Sequence, residues 1–201
     1  MKKKKIKNTE TVKTILVVTG LPGSGKSEVS DYIKSLGIPM LRSGDVIREE
    51  VMRRGLELNT KNSEMISRKL REEEGMDAPV RRVGEQIKSV KADLMCVEGP
   101  RDMHEIGYLA TLGSVVILIV DAPIKTRFER SVGRKGSRLE PKTRDPKDME
   151  EFKWRDKKER ERGMDQLTST SKYPRHVIDN SGTKAKLKAN VRKLVESLGK
   201  H

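Results

Sequence analysis

Five short apolar runs punctuate this chain, at residues 14–19, 38–41, 93–97, 115–120 and 176–179. Each is too short for a helix and is bounded by turn residues, so each predicts a buried strand. Between them, apolar positions recur at three- and four-residue steps. This predicts helices near 26–36, 44–54, 62–74, 79–90, 102–111, 124–133, 148–162 and 184–198. Strands alternating with helices imply a parallel sheet covered on both faces, the α/β class. Residues 132–147 break the alternation, being turn-rich, polar and basic. They read as an excursion from the core, and long polar connections in compact domains commonly serve as functional covers.

Composition narrows the class. A chain of 201 residues suits one α/β domain with an appendage. Charged residues make up 37%, against about 25% in an average domain. No apolar run reaches the roughly 18 residues of a membrane span, and the lysine-rich start has no apolar segment of a secretory signal. The single cysteine, Cys96, excludes an internal disulfide and reads as a buried strand thiol. A cytoplasmic protein is expected. The net charge of +14 sits in both termini and in residues 121–163, while residues 14–120 sum to −1. The basic termini allow a weak RNA contact. Only six aromatic residues are present, too few for a stacking platform on single strands. Trp154 is expected to be a packing anchor.

The chemistry begins after the first run, at Gly20-Leu21-Pro22-Gly23-Ser24-Gly25-Lys26-Ser27. This fits the P-loop pattern G-x-x-x-x-G-K-[ST], with a strand before it and a helix after it. Strand, glycine turn and helix start together aim backbone N–H groups at a polyphosphate. Lys26 is placed to neutralise the β- and γ-phosphates and Ser27 to ligate Mg²⁺, so a nucleoside triphosphate is expected here.

Further segments follow in a definite order. Arg42-Ser43-Gly44-Asp45-Val46-Ile47-Arg48 leaves the second strand and opens a helix that Ser43 or Asp45 is placed to cap. The strand at 93–97 runs into Glu98-Gly99-Pro100-Arg101. Val120-Asp121-Ala122-Pro123 leads to Arg127, Arg130 and Arg134, the last two sharing a helix face. Thr143-Arg144-Asp145 and Arg155 come next, and Val177 to Thr183 forms a closing turn. In this order the segments resemble adenylate kinase and its nucleoside monophosphate kinase relatives. Those carry a Thr-Gly-Asp-x-x-Arg acceptor segment, an Asp-Gly-Phe-Pro-Arg segment, and an Asp-x-Pro turn before an arginine-rich helix. The resemblance spans about residues 13–199 and is nearest to the archaeal adenylate kinase-related family, through Gly44 to Glu49 and the Arg155-Asp156 pair.

The resemblance implies a P-loop kinase with a five-stranded parallel sheet flanked by helices. Its domain would span residues 13–200 after a basic tail at 1–12, with an acceptor-binding helical segment at about 43–90 and a basic lid at about 134–163. ATP would be the donor, with Mg²⁺ on Ser27 and, through water, on Glu98. Lys26, Arg101, Arg130 and Arg134 would be catalytic, Arg144 and Arg155 would fold from the lid onto the phosphates, and Ser43, Asp45, Arg48, Arg101 and Glu105 would receive the acceptor. Where adenylate kinases place a glutamine that reads adenine, Glu105 stands. A carboxylate accepts from an exocyclic amine, which favours AMP or CMP. A lid without cysteines cannot be stapled by zinc. Two alternatives stay open. One is a kinase for another small molecule such as dephospho-coenzyme A, with Asp45 as base for a hydroxyl acceptor. The other is an RNA-associated ATPase switch.

Overall fold

The computed structural model describes residues 12–132, 146 and 148–199. All five apolar runs form strands: β1 (Val12–Thr19), β2 (Met40–Arg42), β3 (Ala92–Glu98), β4 (Ser114–Asp121) and β5 (Arg175–Asp179). They pair in parallel in the order β2-β3-β1-β4-β5. The central strand shows why the runs are continuously apolar: Ile15 and Val17 enter the core on one face, Leu16 and Val18 the core on the other. Helices α1 (Lys26–Ser35) and α9 (Lys184–Leu198) cover the second face with Val29, Ile33, Leu187 and Val191. Helices α4 (Ala78–Ile87) and α5 (Met103–Leu109) cover the first. At their contact a Cβ on Gly84 would lie 2.4 Å from the Tyr108 hydroxyl, so a larger residue there would push the Tyr108 ring aside.

Helices α2 (Ser43–Arg53) and α3 (Thr60–Glu74) pack with the start of α4 around a smaller core of Ile47, Val51, Ile66, Leu70 and Ala78. This unit stands beside the carboxyl ends of β1 and β3. Because β1 is flanked by β3 on one side and β4 on the other, the loops after these strands converge at one edge, where open α/β sheets bind ligands.

Two sequence expectations are corrected. The helix expected to 162 ends earlier: α7 (Met149–Glu159) passes into a π-type turn (Arg160–Met164) and then α8 (Asp165–Ser169). Gly163, at φ 147°, breaks the helix and lets the chain press against Arg101 and Asp102. Phe152 is buried within α7, and Met164 and Leu167, beyond the expected lid, join the main core. Trp154 is not the anchor: it is 61% exposed, while Phe152 is buried edge-to-face against Phe128 of α6 (Ile124–Val132). A residue two positions away on a helix faces elsewhere, and composition alone does not say which aromatic turns inward. Arg134 and Arg144 lie outside the described residues. Cys96 is the expected buried thiol, its pKa pushed up by burial.

Candidate active site

The glycines of the P-loop are held on three sides. A Cβ on Gly20 would meet the Val120 carbonyl at 2.3 Å, one on Gly23 the Arg127 carbonyl at 2.2 Å, and one on Gly25 the Asn180 amide at 2.2 Å. Gly23 and Gly25 also have positive φ, 76° and 94°. The loop is thus held between the end of β4, Arg127 and Asn180 directly ahead of α1, and a helix N-terminus favours phosphate. Asn180 secures it by donating to the Ser24 carbonyl at 2.8 Å. Arg127, named by the sequence pattern without a role, braces it from behind. It is 2% exposed and donates to Ala122 O at 2.9 Å, Pro22 O at 3.3 Å and the Asp156 carboxylate.

Glu98, at the end of β3, is buried beside Ser27. Ser27 Oγ donates to Glu98 Oε1 at 2.8 Å, while Ser30 Oγ and Arg42 Nε donate to Oε2 at 2.5 and 2.6 Å. Burial alone would raise its pKa, but the bonds from Ser30, Arg42 and Ser27 more than offset that and hold it below the usual carboxylate range. Glu98 is therefore ionised beside the serine that the pattern assigns to Mg²⁺. Together with the buried, unpartnered Ser24 Oγ, this donor set fits a hydrated Mg²⁺ carried on phosphate. Among the described residues no three His, Cys, Asp or Glu side chains cluster as a cage of their own.

On the other side of Glu98 lies a group of cations. Arg101 donates to Glu159 at 2.6 Å, and Arg71, from α3, donates to Glu105 Oε1 at 2.9 Å. Arg162, from the π-type turn, joins them. Although it is exposed overall, burial of its charged end and then the charges of Arg71 and Arg101 push its pKa down. Glu159 shows the opposite balance: burial would raise its pKa, but Arg101, Arg162 and Lys26 hold it low. Arg71, Arg101, Arg162 and Lys26 thus share one cluster with Glu105 and Glu159, where the charges of Glu98 and Asp102 are also felt. Of these, Arg71, Arg162 and Glu159 were not legible as site residues. A motif scan finds residues near glycine turns, whereas these arrive through helix packing and one irregular turn.

The remaining expected residues fall in three places. Ser43 does not cap α2, which has no side-chain cap; its Oγ donates instead to the Glu98 carbonyl at 3.4 Å. Asp45 and Arg48 pair with each other at 2.6 Å, and Arg48 Nε is left buried without a partner. Glu105 is 1% exposed and committed: Oε2 accepts from the Arg101 N–H at 2.7 Å, and Oε1 accepts from Arg71. Burial and then the nearby Asp102 charge raise its pKa against these bonds. The expected reader of an amine is here a brace between α3 and the loop bearing Arg101. Arg130 reaches the turn under the P-loop, donating to Asn180 O at 2.7 Å, with its other terminal nitrogen buried and unpartnered. Arg155 pairs with Glu151 one helical turn away on α7.

Comparison with known proteins agrees with this geometry. A family model described as an AAA domain matches residues 19–153. A UPF0200 protein of Hyperthermus butylicus is 35% identical over 184 residues, covering 92% of this chain and 94% of its own. One from Methanosarcina barkeri is 39% identical over 171 residues, covering 84% and 87%. In fold, the crystal structure of TT1252 from Thermus thermophilus is similar, with TM-score 0.60 and 22% identity over 92% of this chain and 98% of that one.

Proposed function

The chain belongs to the UPF0200 family and carries a kinase-like P-loop domain, and from that premise we propose that it is an ATP-dependent phosphotransferase acting on a nucleoside monophosphate. The observation that carries this reading is the cation group of Arg71, Arg101 and Arg162 beside Lys26. Phosphates of two bound substrates would bring several negative charges together, and guanidinium groups bind phosphate oxygens through paired hydrogen bonds. A hydroxyl acceptor would instead need a carboxylate base. Asp45, the candidate in the sequence, is engaged by Arg48.

In this reading the P-loop amides and Lys26 hold the donor. Ser27 would hold Mg²⁺ and Glu98 would order its water; the ion, when bound, would supply neutralisation of phosphate charge. Arg101 and Arg48 orient the acceptor, and Arg71 and Arg162 add charge behind it. An acceptor phosphate oxygen forms a bond to the γ-phosphorus as the bond to the β-bridging oxygen breaks. The nucleophile is already ionised, so catalysis is positioning and neutralisation. Arg130, at the rear of the P-loop, steadies the donor end. Arg134 and Arg144 belong to this scheme through the family resemblance alone. Each Glu105 oxygen accepts one protein bond, from Arg71 or from the Arg101 N–H. An exocyclic amine would share it with that donor, so the acceptor panel decides the base.

The test is a panel of AMP, CMP, UMP and GMP with ATP and Mg²⁺, separating nucleoside diphosphate from free phosphate. Diphosphate from at least one acceptor is expected. Free phosphate alone, unaffected by any acceptor and stimulated by RNA, would replace the proposal with an ATPase switch.

A further inference from the structure

Glu98 has a neighbour that the P-loop pattern does not require. In the β2–β3 register Arg42 stands directly beside Glu98, so the parallel pairing of two strand ends places a guanidinium against the carboxylate. Arg42 Nε donates to Glu98 Oε2 at 2.6 Å, and its Nη2 reaches Asp31 on α1 at 2.5 Å. The fork is therefore pinned at both ends, between a buried carboxylate and a largely exposed one. Ser30 Oγ holds the same Oε2 from α1. Oε2 is fully occupied, whereas Oε1 accepts only from Ser27 Oγ among the described residues and keeps its second lone pair.

We propose that Arg42 is a positioning residue for the cation site: by holding Oε2 it fixes Glu98 so that Oε1 faces Ser27. The inference rests on the nucleotide-binding reading of the P-loop. A carboxylate free to rotate about its last bond would present either oxygen, or neither, to a hydrated cation. Arg42 removes that freedom from the side away from the phosphates. Its planar fork spans two carboxylates at once, which a lysine ammonium cannot do. Partners that orient a metal-organising group typically change metal affinity about 10- to 100-fold when removed.

The experiment is a thermal-shift titration of Mg²⁺ at fixed saturating ATP, on wild type, Arg42→Met, Arg42→Lys and Glu98→Gln. The methionine keeps the apolar stem and removes the fork. In Arg42→Met the Mg²⁺ concentration giving half the ATP-dependent shift is expected to rise about tenfold. ATP affinity measured in EDTA should stay within about twofold, since the guanidinium bonds the Glu98 and Asp31 carboxylates and not the P-loop backbone. Arg42→Lys should fall between, and a double Arg42→Met, Glu98→Gln variant should be no worse than Glu98→Gln alone. A lower melting temperature with an unchanged Mg²⁺ midpoint would make Arg42 a structural residue and overturn the inference. If Arg42→Met does not fold, an unchanged midpoint in Arg42→Lys overturns it equally. Absence of any ATP and Mg²⁺ shift in wild type would instead overturn the nucleotide reading itself, and this inference with it.

Discussion

Arg71 on α3 and Glu105 on α5 form a 2.9 Å ion pair whose side chains are 12% and 1% exposed. The pair joins the small core of α2 and α3 to the main body, next to Arg101. Glu105→Gln leaves Arg71 buried without a counter-charge and should cost about 3 kcal/mol. Arg71→Met combined with Glu105→Gln should recover part of that loss, because no buried charge is then stranded. Denaturant unfolding of the four members of the cycle checks this. Strictly additive costs would mean that the pair is not coupled.

Lys26→Ala should lower phosphotransfer by about 10³-fold, the scale of losing one preorganised charge at a transferring group. The fold should persist, which circular dichroism would verify. Turnover within a few-fold of wild type would remove Lys26 from the catalytic machinery.

Arg48→Ala and Arg101→Ala should raise the acceptor KM at least about tenfold, since both would grip a group bound before and during transfer. Arg130→Ala should act mainly on kcat. It bonds the Asn180 carbonyl under the P-loop, and Asn180 in turn holds Ser24. Steady-state kinetics with both substrates varied separate the two outcomes. Equal losses in ATP binding for all three would contradict the division of labour.

Gly163→Ala should impair activity and stability together. The glycine has φ 147°, and an added Cβ would lie 2.7 Å from the Arg101 carbonyl and 2.7 Å from Asp102 Cβ. Relieving that clash moves the turn that carries Arg162 and follows Glu159. A rise in acceptor KM alongside a lower melting temperature is expected, and wild-type kinetics would show that the turn tolerates the shift.

Glu50 is 2% exposed and receives bonds from Arg53, Arg54 and Arg82. The Arg53 bonds come first among the causes that hold its pKa well below the usual carboxylate range, against the effect of burial. A depressed folded-state pKa contributes stability above the unfolded value, and that stability is lost as pH falls through the folded value. Glu50→Gln should therefore cost about 2 kcal/mol at neutral pH. The gap to wild type should close as pH drops below about 4.3. Thermal melts from pH 7 to pH 2 measure it; a gap constant with pH would assign the loss to packing.

The sequence by itself determined the layered α/β fold and the phosphate loop. Apolar runs such as 14–19 have no polar alternative to burial, and the glycine spacing at Gly20, Gly23 and Gly25 allows a backbone path that other residues resist. The resemblance to nucleoside monophosphate kinases also singled out Glu98 and Arg101, in the segment that closes β3. Only the tertiary structure decided what faces what. Glu105 is read as a substrate contact in one dimension, yet it is drawn inward by Arg71, which lies 34 residues earlier on another helix. Phe152, not Trp154, anchors α7, because the rotation of a helix about its axis is set by its neighbours. Arg162 joins Arg71, Arg101 and Glu159 from the irregular turn that contains Gly163, and Glu159 feels the charge of Lys26. Charges in 37% of positions make nearly any pairing possible along the chain; packing selects the few that are buried, and burial is what gives a charge its leverage.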